Sequence, residues 1–169
     1  MLEMLDQIPP RRAAWVIFAV MLATILGAWA FERAGYLPCD LCLQQRWAYY
    51  AVVPFTLVLA AYNPSWIKPG LWLACAALTA SMVFGIYHAG VEYKWWAGPG
   101  TCGLGVLSEG LPDLTKPVAK CDEPAIHILG MSLASWNANI SAMMAWVAYK
   151  GATFAPIYAS GHGSSSASQ

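Results

Sequence analysis

Between Arg12 and Glu32 the chain reads AAWVIFAVMLATILGAWAF (residues 13–31), 19 residues without a charge. A bilayer core about 30 Å thick needs roughly 20 helical residues at about 1.5 Å each, so this stretch fits one crossing. The same reading extends along the chain. No charge falls between Arg46 and Lys68, between Lys68 and Glu92, or between Glu123 and Lys150, windows of 21, 23 and 26 residues. A helix satisfies its own backbone groups in hydrocarbon, and the windows predict spans at about 13–31, 43–62, 69–90 and 134–154. The last is started near Ala134 because Pro124, His127, Ser132 and further polar residues crowd the first part of its window. The expected fold is an all-α membrane protein, a four-transmembrane-helix bundle forming one domain over residues 1–155, with a disordered tail at 156–169.

Composition points the same way. Apolar residues make up 59% and charged residues 11% of the 169, against about 45–50% and about 25% in soluble domains. Mean hydropathy is +0.49. High hydrophobicity excludes a disordered chain, and nine basic against nine acidic residues leave no basic field for nucleic acid. The apolar run after Arg11 and Arg12 exceeds the h-region of a signal peptide and lacks a small-residue cleavage site, so it is read as a retained span. Loop charges alone do not orient the spans: with the N-terminus inside, four basic residues face five. The Arg11–Arg12 pair favours N-inside.

Three connections remain: residues 32–41, a very short turn near 63–68, and a long loop from Glu92 to about Leu133. Trp95 and Trp96 suit an aromatic belt at the interface, and Leu104–Leu111 is apolar enough to lie on the membrane surface.

Of five cysteines, Cys39, Cys42, Cys102 and Cys121 fall in the two loops that share one side of a four-span protein, and Cys75 sits inside a helix as a packing residue. An even set of loop cysteines on one face suggests disulfides in an oxidising compartment. That makes these loops extracytoplasmic and the termini cytoplasmic. Cys39-Asp-Leu-Cys42 brings two sulfurs together where the second helix is expected to begin, near Cys42, and a helix N-terminus stabilises the reactive thiolate. Arg46, four residues beyond Cys42, lies on the same helical face and offers a cation and hydrogen-bond donors. Asp40 adds a charge that opposes thiolate formation. On residues alone, redox-active disulfides, purely structural disulfides and a four-cysteine zinc site all remain open. Arg46 is open between ligand donor and interfacial snorkelling, and His88, one turn before Glu92, between packing and function. His127 and His162 receive no role, and Asn139-Ile140-Ser141 matches a glycosylation pattern only inside a span.

Three blocks resemble the DsbB family of bacterial inner-membrane thiol oxidoreductases: CDLCLQQRWAYY from Cys39, YHAGVEYKWWAGPGTC ending at Cys102, and CDEPAIHILGMSLASWN from Cys121. The resemblance implies a periplasmic disulfide relay that reoxidises a soluble DsbA-like thioredoxin-fold oxidase and passes electrons to membrane ubiquinone or menaquinone, a relay of known direction. It implies Cys39, Cys42, Cys102 and Cys121 as catalytic residues, with no metal. Cys102 would form the mixed disulfide with the partner. Cys121 would resolve it and exchange with Cys39, and Cys42 would be the thiolate facing quinone. Arg46 and His88 would be quinone-binding. Two rivals differ in class: a quinone-linked protein resembling vitamin K epoxide reductases, which usually carries its Cys-x-x-Cys late in the chain, and a tetraspan scaffold whose disulfides only brace loops. A metal transporter should show carboxylates or histidines within several spans, and only His88 is a candidate.

Overall fold

The computed structural model describes residues 8–99 and 120–155. Four helices form the body: α1 (Pro10–Arg33), α2 (Asp40–Tyr62), α3 (Ile67–Glu92) and α4 (Leu133–Thr153). Each charge-poor window contributes one of them. By length and composition two, α1 and α3, are apolar enough to cross a membrane. Gln44, Gln45 and Arg46 dilute the apolar character of α2, and Ser135, Asn137, Asn139 and Lys150 that of α4. Leu104–Leu111 and the tail at 156–169 lie outside the described residues.

The helix ends follow local chemistry. Pro10 opens α1 at N1, where a missing N–H costs nothing. Asn63 closes α2 in the left-handed conformation, its N–H bonded to the Leu59 carbonyl, and Pro64 follows. Ser132 caps α4 by accepting from the Ser135 N–H at 3.2 Å, so the helix starts one residue before the expected Ala134. The sequence reading missed a short antiparallel hairpin just upstream, His127–Ile128 against Met131–Ser132. Its turn residues Leu129 and Gly130 both have positive φ, the requirement of a two-residue I′ turn. Leu129 bears that strain, which is why no Asn-Gly signal announced the hairpin.

Helix ends meet in two groups. At one end Arg11 Nε donates to the Ala60 carbonyl at 2.9 Å, and Lys68 Nζ to the Phe154 carbonyl at 2.6 Å. This joins the start of α1 to the end of α2, and the start of α3 to the end of α4, so neighbours run antiparallel. The opposite end carries Cys39, Cys42, His88, Glu92 and the hairpin.

The interior is apolar at its centre, with Ile17, Met21, Leu59, Leu71 and Leu78 essentially inaccessible. It also holds polar groups, Thr56, Ser81, Ser141 and Asn137. Ser141 Oγ donates to Ser81 Oγ at 3.1 Å between α3 and α4. Meanwhile Trp47, Leu73, Val83 and Met143 are more than half exposed. Large apolar side chains outside with hydrogen-bonded polar ones inside suit a hydrocarbon surround, where association relies on close packing and interhelical hydrogen bonds.

Gly85 shows that close packing. A Cβ there would stand 3.0–3.1 Å from the Ala138 backbone and side chain of α4. Gly85→Leu must push α3 and α4 apart. Overpacking of this kind costs about 1–3 kcal/mol, and a lowered thermal midpoint in detergent is the expected result.

Candidate functional site

Cys39 is the N-cap of α2, and its Sγ accepts from the Cys42 N–H at 3.3 Å. The sulfur takes the place of a capping hydroxyl, so the helix begins at Asp40 and not near Cys42 as the sequence suggested. One turn then holds both thiols together, with the Sγ atoms 2.9 Å apart. A small closure reaches the about 2.05 Å of a disulfide. Cys39, Cys42 and Cys75 are free thiols, whereas Cys121 is disulfide-bonded. Cys102 lies outside the described residues.

Cys39 and Cys121, both almost fully buried, belong to one apolar cluster with Leu41 and Val91, against which Cys42 and Phe84 pack. The fold therefore brings a sulfur from the long loop to the Cys-x-x-Cys unit, across 82 residues of sequence. Cys75 packs against the central core instead.

His88 on α3 is fully buried, with Nε2 3.4 Å from Cys39 Sγ and Nδ1 3.1 Å from Gln45 Oε1. The amide oxygen can only accept, so Nδ1 carries the hydrogen. Glu92, one turn on, has Oε1 3.8 Å from the same Nε2, and its side chain is 6% exposed. The hydrogen bond shared with Cys42, the contact with His88 and the Cys42 backbone N–H together hold the Cys39 thiol well below the ordinary range, against the desolvation that opposes ionisation. Asp40 is not among the groups that set it.

Within the dithiol, the lowered pKa puts the thiolate on Cys39; the role that the resemblance implies for Cys42, the thiolate facing quinone, belongs to a later step. The sign of the pH dependence follows. A depressed thiol pKa keeps the thiolate as pH falls below the about 8.5 of free cysteine, while its contribution to stability, complete above that pH, declines from there. Both are gone once pH has fallen through the lower folded value. Alkylation of Cys39 by iodoacetamide should stay fast well into the acidic range and collapse there, with the rate read by mass spectrometry. A midpoint near that of free cysteine would contradict the thiolate assignment.

Arg46 Nη1 is paired with Glu32 Oε2 at 2.6 Å, joining α2 to the end of α1. The guanidinium side chain is 11% exposed and the carboxylate 41%. Sequence reading used Glu32 only as a span boundary. No spacing rule links residues 14 apart on different helices, so the pairing had no local signal.

Two cavities meet at this end. The larger, about 550 Å³, lies between α1, α2, α4 and the hairpin, with Ile25, Phe31, Leu133, Trp136 and Ile140 among its apolar walls. Its polar wall consists of Cys42, Gln45, Arg46, Tyr49, Thr24 and Asn137. Tyr49 donates its hydroxyl hydrogen to Asn137 Oδ1. Two buried amide nitrogens of that wall, Gln45 Nε2 and Asn137 Nδ2, have no hydrogen-bond partner among the described residues. The smaller cavity, about 310 Å³, is the more polar of the two and includes Cys39, Cys42, Glu92, Lys120 and Glu123. Cys42 lines both cavities and Cys39 only the second. His88 lines neither, so it reaches the larger cavity only through Gln45. Tyr49 and Asn137 were missed in the sequence as site residues, because aromatic and amide side chains on helices 88 residues apart give no joint pattern.

Comparison with known proteins gives the chain a family. The family described as "Disulfide bond formation protein DsbB" matches residues 10–150. A disulfide bond formation protein B of Pseudomonas syringae pv. tomato is 33% identical over 128 residues, covering 69% of this chain and 74% of its own. One of Neisseria meningitidis serogroup C is 31% identical over 143 residues, with 76% and 86% covered. Another, of Pseudomonas putida, is 29% identical over 148 residues, with 79% and 85% covered. No solved structure matches. A reactive cysteine pair at a helix entrance, a loop sulfur packed against it and this match over nearly the whole helical body lead to one assignment: the chain belongs to the DsbB family and is a membrane oxidoreductase of disulfide bond formation.

Proposed function

We propose that the chain is a protein-dithiol:quinone oxidoreductase of a bacterial inner membrane. It crosses four times, with both termini cytoplasmic and the cysteine-bearing connections periplasmic, and it reoxidises a DsbA-like thioredoxin-fold oxidase. The placement of Cys42 carries this reading. One sulfur of the pair faces a largely apolar cavity among the helices, while the other faces a polar cavity beside Cys121. Basic residues Arg11, Arg12, Lys68 and Lys150 lie at the opposite end; the Arg11–Arg12 pair before α1 and the oxidising compartment that the loop cysteines need, rather than the charge count, support this orientation.

The larger cavity fits a quinone headgroup. Its volume is in the range of small-molecule sites, and two unpartnered amide donors and a guanidinium stand on otherwise apolar walls. Two carbonyl acceptors would relieve the cost of burying those amides without partners. A bound quinone supplies acceptance of two electrons and two protons. Arg46 would hold a headgroup oxygen, with Glu32 fixing the guanidinium, and Gln45 and Asn137 would orient the ring. His88 acts as a positioning residue, holding Gln45 on one side and Cys39 on the other.

The thiol chemistry balances within the chain. The partner's thiolate attacks Cys102, and the Cys102–Cys121 bond breaks with its electron pair on Cys121. Cys121 then attacks Cys39 of a Cys39–Cys42 disulfide, a Cys39–Cys121 bond forms, and the pair passes to Cys42 at the apolar cavity. The partner's second thiolate breaks the partner–Cys102 bond, closing the partner's disulfide. The freed Cys102 attacks Cys121, re-forming Cys102–Cys121 and releasing Cys39, so that the Cys39–Cys42 dithiol holds the two electrons a quinone would accept. Disulfide exchange alone changes no net oxidation state, so an acceptor beside Cys42 is what makes the cycle productive. The test is rapid mixing of the reduced full chain with a soluble ubiquinone or menaquinone analogue. One quinol should form per Cys39–Cys42 dithiol consumed. Absence of quinone bleaching with both classes would overturn the proposal.

A further inference from the structure

The sulfurs of Cys39 and Cys42 and Nε2 of His88 all lie within 4.8 Å of one another. They come from two helices and converge on the inner side of the polar cavity, which Cys39 and Cys42 both line and which gives an entry path. The imidazole is prepared as a ligand. Nδ1–H is engaged by Gln45 Oε1 at 3.1 Å, and Nε2 faces Cys39 Sγ at 3.4 Å, where a cation would take the place of the proton that the two share. Metal-binding histidines almost always have their other ring N–H fixed in this way. A second observation stands beside the first. Glu92, on the same cavity wall, has a side chain only 6% exposed, with Oε1 3.8 Å from His88 Nε2. Its Oε2 is buried, and among the described residues the Ser132 hydroxyl is the carboxylate's hydrogen-bonding neighbour. Two thiols, an imidazole nitrogen and a carboxylate make a four-donor set of the kind that holds zinc tetrahedrally.

We propose that the dithiol form of this site binds one zinc-like divalent cation through Cys39, Cys42 and His88, with Glu92 or water as fourth ligand, and that the cation arrests the relay in its reduced state. Each thiol proton still held, and any proton between His88 Nε2 and Cys39, is released to solvent on binding, and no electron moves. The sulfurs, 2.9 Å apart, separate by about 1 Å to subtend a tetrahedral angle at bonds of about 2.3 Å. A Cys39–Cys42 disulfide removes two ligands at once, so the site exists in one redox state only. Metal-held sulfurs cannot form the disulfide, and turnover should stop until a chelator removes the ion. The inference needs the thiol pair and not the quinone assignment, so the two fail separately.

The experiment is a Zn²⁺ titration of the reduced full chain in detergent against a chromophoric chelator, repeated with Co²⁺. A single equivalent should bind, and the Co²⁺ form should show sulfur-to-metal charge transfer and the intense visible bands of tetrahedral coordination. The same chain oxidised at Cys39–Cys42 should bind none, a comparison that needs no variant to fold. Gln45→Ala should weaken binding roughly 10- to 100-fold, the usual effect of losing a ligand's outer partner, and His88→Ala by at least as much. A Cys102→Ser/Cys121→Ser chain should retain the site. Loss of binding there would instead indicate a four-cysteine site across the loops, and equal binding by oxidised and reduced chains an adventitious ion only. Either result overturns the proposal.

Discussion

Cys42→Ser is expected to reduce quinone reduction to background, while Cys75→Ser leaves it unchanged. The contrast rests on position. Cys42 is the sulfur that lines both cavities, and Cys75 packs against the central core of the bundle. A serine hydroxyl fits the volume but neither ionises at neutral pH nor forms a disulfide, so the electron pair arriving at Cys39 has no route to the apolar side. Cys39→Ser should be equally inactive for a different reason, since it removes the sulfur beside Cys121. Steady-state quinone bleaching with a reduced partner oxidase reads both. Substantial activity in Cys42→Ser would detach the cavity from the chemistry.

Arg46→Ala should weaken quinone use by roughly 10- to 150-fold, the equivalent of about 1.5–3 kcal/mol for a hydrogen bond to a charged group. The loss should fall mainly on the quinone KM. Glu32 is left without its partner but is 41% exposed, so water solvates it and the fold survives. Arg46→Lys keeps the charge and loses the planar fork, and should recover only part of the activity. Separate titrations of quinone and partner oxidase, with kcat and KM resolved, check this. An unchanged quinone KM in Arg46→Ala would make the Arg46–Glu32 pair a brace between α1 and α2 and nothing more.

Features that depend on composition or on neighbours within one helical turn were legible in the sequence. Charge-free windows located all four helices, because a missing charge is a property of a stretch and needs no partner. The Cys39, Cys42 and Arg46 spacing put three functional groups on the first two turns of α2, and His88 with Glu92 followed the same rule on α3. What the sequence concealed depends on contacts between elements. Glu32 meets Arg46 only because α1 ends where α2 begins its second turn. Gln45 joins His88 across two helices, and Tyr49 meets Asn137 across the cavity. The hairpin at 127–132 has a two-residue turn led by Leu129, which no turn rule favours. The preference of the thiolate for Cys39 came from the hydrogen bond it shares with Cys42, then from His88 on another helix and from a capping role for sulfur. Helix-dipole reasoning alone cannot choose between two thiols at the same N-terminus.

The proposed relay depends on one transfer above all, from Cys121 to Cys39. It is tested most directly by mixing Cys42→Ser chain with reduced partner oxidase, quenching in acid and mapping disulfides by peptide mass. With Cys42 absent, Cys39 enters as a free thiol. Brief pre-oxidation with a small disulfide reagent supplies the leaving group on it. The account predicts peptides joined through Cys39 and Cys121, formed in proportion to partner oxidised. Partner oxidation with Cys39 still holding the reagent, and Cys121 never linked to it, would contradict the account.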